Sequence, residues 1–508
     1  MSGNKQLALN TLATAINLIV AFSISFFLTS YLVKTIGSTA YGFFGLANTI
    51  VNYALIITTA LNSMAARFIG IEVHKGDFKQ ASVYYSSVFV ADSIFAALIF
   101  IPSCIAIWYI NYIFDVPSDL LSDVRILFYV VFLNMCLNII SAVFGGVYVI
   151  KNRLDLSSYI TIISHILKAL LLVYLYWKFE PSIIYLGTAT LLATLITITS
   201  NIHFNRKLLP EVKLSKGLSS WHAVKTIVSS GVWNSLNQLS VTLLHGLDLL
   251  LANLFISSAA MGVLSVSGTI PGVITSCLFS LANVYTPVFL EHYAHGKFDK
   301  LLNDLKNSIK LMTIVTCIPI GSLIGFGMPF YKLWVPNVDL NLLYGLSIFV
   351  VLPLFSGGAI SGTNYIYTIT NKVKWQSIVL LLTGLINVFV VFILLKTTSL
   401  GVYAIVGVSA TIGIIRNFIF NAPYAAYCIK QPLRTLYPEM IISIVCLVVW
   451  ASVGLLLSNY LSLDSWGKLI GVGFSYIIIL TYITTYILLS KSQRNYLLKR
   501  IRGIINRH

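Results

Sequence analysis

Charge is scarce in this chain, and acid is the scarcer sign. Of 508 residues, 16 are Asp or Glu and 33 are Lys or Arg, so 10% are charged, against roughly a quarter in a water-soluble domain. A normal soluble fold is excluded. Long polar connections are missing too: the longest on the basic-poor side, near 110–123, is barely a dozen residues, too short for an aqueous catalytic surface. The six cysteines (Cys104, Cys136, Cys277, Cys317, Cys428, Cys446) form no CxxC pair and lie in or beside apolar runs, where each reads as a small buried hydrophobe. There is no HExxH, GxSxG or P-loop, and no pair of carboxylates in a long loop. The expectation is therefore no enzyme, no catalytic residue, no metal and no cofactor.

What is present is apolar helix. The chain is 57% hydrophobic with mean hydropathy +0.88. Crossing the hydrocarbon takes about 20 mostly apolar residues. Such runs fall near 7–33, 43–66, 84–109, 124–149, 158–177, 182–204, 225–255, 263–289, 308–330, 342–369, 377–395, 401–425, 438–459 and 467–490, about fourteen in all. The chain reads as an all-α integral membrane protein. Its first run is too long for the core of a signal peptide and no small-residue cleavage pattern follows it, so it reads as a retained helix.

Basic residues are kept on the cytoplasmic side of a membrane. With both termini inside, 25 of the 33 Lys and Arg lie on inner segments, six (Lys34, Arg125, Lys178, Lys332, Lys396, Lys468) on outer ones, and Lys168 and Arg416 in mid-helix. This bias sets the orientation and explains the formal charge of +17 without nucleic acid as a partner. The tail SQRNYLLKRIRGIINRH interleaves basic with apolar residues, as either a positive-inside anchor or a lipid-binding amphipathic helix would.

Shifted by 220 residues, IGSTAYGFFGLANTI (36–50) aligns with ISSAAMGVLSVSGTI (256–270) at six identities in fifteen positions, and the same register pairs Asn17 with Asn237 and Gly76-Asp77-Phe78 with Gly296-Lys297-Phe298. An offset of six spans keeps both copies in one orientation, which is a parallel repeat about an axis along the membrane normal. The expected organisation is a six-helix lobe at 1–205, a cytoplasmic linker at 206–220, a second six-helix lobe at 221–425, two extra helices at 426–490 and a basic tail at 491–508. Repeats of this kind enclose a cavity that opens alternately to each side.

Ionisable groups in mid-helix are expensive, so each is a functional candidate. Lys168 has His165 three residues before it, and Asp248 has His245. Asp92 lies in the third span and Arg416 in the twelfth. Lys168 and Arg416 occupy similar-looking places in the two lobes and would make a cavity positive toward a phosphate or acidic sugar; equally, Lys168 with Asp92 and Arg416 with Asp248 could be internal ion pairs that only fix packing. Asp248 with His245 is a candidate carrier of a coupling proton, or a solvated carboxylate near the outer headgroups. Arg67 at the end of the second span meets either a phosphate or, by snorkelling, the interface. Pro271, Pro287, Pro319, Pro353 and Gly357-Gly358 are expected to interrupt helices of the second lobe.

The IGSTAYGFFGLANTI loop, the HKGDFKQA loop, and VWNSLNQLSVTLLHGLDLLLANLF followed by AAMGVLSVSGTIPGVI and VYTPVFLEHYAHGKFDKL together resemble the polysaccharide-exporter branch of the MATE-like superfamily over nearly the whole chain. The resemblance implies two six-helix lobes plus two further helices. It also implies a flippase that moves an undecaprenyl-diphosphate-linked oligosaccharide across a bacterial cytoplasmic membrane, with a cationic cavity (Lys168, Arg416, Arg67) for the substrate and Asp248, His245 or Asp92 for a coupling H+ or Na+. Sparse mid-membrane charge argues against the peptidoglycan precursor as substrate. The alternatives are a cation-coupled exporter of drugs or small metabolites and, behind it, a membrane-embedded polysaccharide polymerase or transferase.

Overall fold

A computed structural model describes residues 3–491 and Arg494. Among these residues the chain is helical throughout, without a strand. Twelve helices are long and apolar enough to cross a membrane, or thirteen when the bent pair Trp221–Gly246 and Asp248–Phe255 counts as one span. The expected count of fourteen is thus not confirmed. The first of the twelve, Leu9–Lys75, runs 67 residues as two helices joined across a kink. It contains a non-helical Gly37 at φ 81, ψ 162 and covers two of the expected spans. The basic tail lies outside the described residues apart from Lys491 and Arg494.

Packing groups the chain into two compact units, Met1–Val266 with Leu380–Phe389, and Ser267–Val379 with Val390–His508. These differ from the sequence-repeat lobes, which divide the chain by likeness and not by packing.

In the first unit, Leu61, Ile69, Tyr85, Val88, Val143, Val147 and Ile227 form a buried core between the opening helix and the helices Phe78–Trp108, Leu121–Ile150 and Trp221–Val241. Apolar packing alone does not fix register between such helices, since lipid is as apolar as leucine; polar ties do. Tyr85 donates to Asn205 Oδ1 at 2.9 Å, and Tyr148 to Asn201 Oδ1 at 3.0 Å. At one end, Asn10 donates to the Asn152 side chain at 3.0 Å and accepts from the Asp155 N–H at 3.0 Å, while Arg153 pairs with Asp155 at 3.0 Å.

The second unit is built on the long helix Phe298–Trp334. Helix Tyr437–Tyr460 closes on it through a glycine contact, since a Cβ on Gly325 would lie 2.5 Å from Gly454 Cα, and helix Trp466–Leu488 packs beside them. Trp450 donates from its indole to Thr484 at 2.8 Å, and Tyr476 donates to Trp450 O at 2.7 Å. Pro353 and Gly357-Gly358 do interrupt the tenth span, which breaks into Leu340–Val351, Leu354–Gly357, a 3₁₀ turn Ala359–Gly362 and Thr363–Ile369. Pro271 and Pro287 sit in the first turns of the helices Thr269–Asn283 and Thr286–Ala294, after breaks. Pro319 is different: it lies inside the unbroken helix Phe298–Trp334, as membrane proline does when neighbours satisfy the freed carbonyl.

The repeat is written into local geometry as well. Gly76 and Gly296 both have positive φ, 80° and 67°, and helices start two residues later, at Phe78 and Phe298. Asn152 and Asn371, at φ 52° and 56°, likewise precede helices that start at Leu154 and Val373. Tyr148 bonds Asn201, and its counterpart Tyr367 donates to Asn421 O at 2.7 Å.

Candidate functional site

The broken seventh span dominates the first unit. Its α-helix Trp221–Val241 passes into a π-helical turn, Thr242–Gly246, and resumes as Asp248–Phe255 after a bend of 43°. A π-turn leaves carbonyls without their usual i+4 donors, and inside a membrane those oxygens need partners from elsewhere. They find them. Tyr53 donates to Gly246 O at 2.5 Å, and Asn387 donates to Leu244 O at 3.0 Å and Leu243 O at 3.3 Å. Gly384 allows the approach, since a Cβ there would stand 2.8 Å from Leu243 Cβ. His245 lies within the turn and Asp248 opens the half-helix beyond it. The bend thus places the two residues that sequence paired on a segment held by side chains from two other helices.

Asp92 is fully buried, at 0% exposure. Asn62 donates to its Oδ1 at 3.2 Å, while Asp92 Oδ2 and Asn62 Oδ1 are buried without a hydrogen-bond partner. Two unsatisfied buried oxygens on facing side chains carry a standing cost that a bound cation would remove. No group of three or more His, Cys, Asp or Glu suited to a metal ion occurs among the described residues.

Lys168 is half-buried and lies 5.5 Å from the Phe44 ring centroid, within cation–π range. Among the described residues it forms no ion pair, with Asp92 or any other carboxylate. Its place in the repeat is not that of Arg416. With Leu154 and Val373 as equivalent helix starts, the counterpart of Lys168 is Asn387, and Arg416 belongs to the following helix. Arg67 is exposed.

Arg416 lies in the second unit, where the helix Val402–Arg416 runs into a second π-turn, Asn417–Asn421. Its guanidinium is in large part enclosed: Nε and Nη1 are buried with no hydrogen-bond partner. Around it the backbone is held by amides. Asn417 donates to Pro353 O at 3.2 Å and Ser356 Oγ at 3.0 Å, and accepts from Asn421 at 2.7 Å. Gly357 is required there, because a Cβ would come within 2.6 Å of Asn417 Nδ2.

Sequence reasoning missed the π-turns, Tyr53, Phe44 and Asn387. Asn387 did leave a signal, as the one amide midway along Val373–Thr397, the span of highest hydropathy at 3.0.

Long apolar helices, two of them broken at π-turns, define a multi-pass helical membrane protein. The chain belongs to the polysaccharide biosynthesis protein family, whose model matches residues 7–292. It is 28% identical over 504 residues to "Uncharacterized membrane protein EpsK" of Bacillus subtilis (strain 168), with 96% of this chain and 98% of that protein aligned. Its fold is similar to an inward-facing MATE family transporter of the MOP superfamily (TM-score 0.67, 15% identity, 84% of this chain and 98% of that one). It is also similar to the lipid II flippase MurJ in an inward closed conformation (TM-score 0.62, 14% identity, 95% and 100%).

Proposed function

We propose that this protein is a flippase that carries an undecaprenyl-diphosphate-linked oligosaccharide from the inner to the outer leaflet of a bacterial cytoplasmic membrane. Both termini are then cytoplasmic, and two six-helix lobes (1–205 and 221–425, joined by 206–220) rock about the site with the helices of 426–490 appended. One observation carries the reading: the mid-membrane cations have no carboxylate partner among the described residues. Lys168 rests against an aromatic ring, and Arg416 Nε and Nη1 bond to nothing. A buried cation left alone is costly, and a diphosphate is the ligand that removes that cost with charge-assisted hydrogen bonds. Membership of a polysaccharide biosynthesis family supplies the class of cargo.

The proposed binding groups are Lys168 and Arg416, with Arg67 at the inner mouth. The proposed coupling groups are Asp92 with Asn62, and Asp248 with His245 on the bent span, for H+ or Na+. Deleting the gene accumulates lipid-linked repeat units on the inner leaflet and removes the surface polymer. Unchanged polymer together with lost drug efflux would replace this reading with small-molecule export, which the MATE-like fold also accommodates.

A further inference from the structure

The loop after the third span and the connection between the seventh and eighth spans are tied by three hydrogen bonds. The Asp115 N–H donates to Asn253 Oδ1 at 3.0 Å, the Asn253 side-chain amide donates back to Asp115 O at 3.1 Å, and the Ser258 N–H donates to Asp115 Oδ2 at 2.8 Å. The two ties to Asn253 are reciprocal, so one side chain fixes the loop's backbone in both directions. The third places a carboxylate on a free N–H in the first turn of the helix Ser258–Ser267, where negative charge is favoured. Asn253 is 2% exposed, whereas Asp115 is exposed. The tie is therefore anchored in protein on one side and reachable by water on the other.

In the orientation proposed above both segments lie on the basic-poor, outer side of the membrane, and in the sequence repeat they come from different lobes. The repeat also shows that the tie has no second copy. Val116-Pro117 recurs as Val335-Pro336, which puts Trp334, buried at 1%, where Asp115 stands. An offset of 220 puts Val33 where Asn253 stands. A buried tryptophan and a valine can make none of these three bonds.

We infer that Asp115, Asn253 and Ser258 form a one-sided clasp that holds the outer mouth shut and must break each time the protein opens outward. The inference rests on the alternating-access reading above but not on the identity of the cargo. Losing the carboxylate bond removes one charge-assisted hydrogen bond, which corresponds to roughly a tenfold change in the closed-to-open ratio.

The test uses the full-length protein in lipid nanodiscs, with the six native cysteines replaced and spin labels at Asp119→Cys and Ala259→Cys, both exposed positions. Pulsed electron paramagnetic resonance then reads the distance across the outer mouth. Asp115→Asn keeps the backbone bonds to Asn253 and is expected to shift the ratio of short to long separations roughly tenfold toward the long ones. Asn253→Ala is expected to move more still. Identical distance distributions in the parent and in a monodisperse Asp115→Asn variant overturn the clasp, whether or not Asn253→Ala folds. Surface-polymer complementation by the same variants is a separate readout: its absence in the parent sinks the flippase reading and leaves the distance result standing.

Discussion

Gly42 and Gly262, one repeat apart in sequence, lie against each other. A Cβ built on Gly42 would stand 2.7 Å from Gly262 Cα, and one built on Gly262 would stand 2.6 Å from Ser38 O. One turn further along, Gly45 faces Ser265, again 220 positions on, with a Cβ only 2.5 Å from its Oγ. Equivalent residues of a two-fold repeat meet where the axis runs, so these two pairs mark its course through the first unit. Small residues let backbones approach closely in membranes, where van der Waals contact takes the place of the hydrophobic effect.

Gly42→Ala and Gly262→Ala should accordingly each lower the melting temperature, because backbone rather than a flexible side chain meets the new methyl. A loss of about 1–3 kcal/mol is the usual scale for overpacking. Gly272→Ala is the contrast: nothing lies within 4 Å of its Cβ position in the helix Thr269–Asn283, and alanine should stabilise that helix by up to about 1 kcal/mol. Thermal unfolding of the detergent-solubilised protein checks all three.

Replacing Arg416 by Leu should abolish export while leaving the protein inserted and folded, and Lys168→Leu should do the same. Arg416→Lys tests geometry against charge. A lysine keeps the charge but not the planar fork of donors, so partial export is expected if a diphosphate is bound through paired oxygens. Surface polymer in a complemented deletion strain is the measurement, with membrane content of the protein as control.

Tyr53→Phe removes the hydroxyl that bonds Gly246 O, and Asn387→Leu removes the amide that bonds Leu243 O and Leu244 O. A buried hydrogen bond lost in this way costs about 1–3 kcal/mol. Because both side chains hold one bend, the double variant should lose less than the sum of the single losses. A double-mutant cycle on stability, with export measured alongside, resolves this coupling.

Asp92→Asn exchanges a buried carboxylate for a neutral amide of the same shape. The expected outcome is a protein as stable as its parent or more so, whose transport in proteoliposomes no longer responds to an imposed Na+ or H+ gradient. Undiminished gradient dependence would remove Asp92 from the coupling role and leave it to Asp248 with His245.

Much of the architecture was legible in the sequence because the bilayer imposes it. Hydropathy gives the spans, and the shared register of Gly76 and Gly296 gives the repeat. What stayed hidden has physical reasons. The polar stretch at 34–39 separates the first two expected spans, but that they join at a kink on the single non-helical residue Gly37, without a loop, is not visible in composition. The π-turns at Thr242–Gly246 and Asn417–Asn421 change hydrogen bonding without changing residue type, and no periodicity reports that. Lys168 and Arg416 look equivalent as lone mid-helix cations, but the matched helix starts at Leu154 and Val373 assign Asn387 to the place of Lys168.

The bent span also carries a timetable. Asn387 lies 144 residues beyond Leu243, whose carbonyl it satisfies. At about 5–20 residues per second of synthesis, the ribosome reaches it roughly 7–30 s after the π-turn has been made. Until then Leu243 O and Leu244 O have no donor from that helix, and the half-helix Asp248–Phe255, eight residues long, is about 12 Å in length, too short to cross the bilayer alone. The seventh span therefore enters the membrane unfinished, and its final shape is set by a part of the chain not yet born.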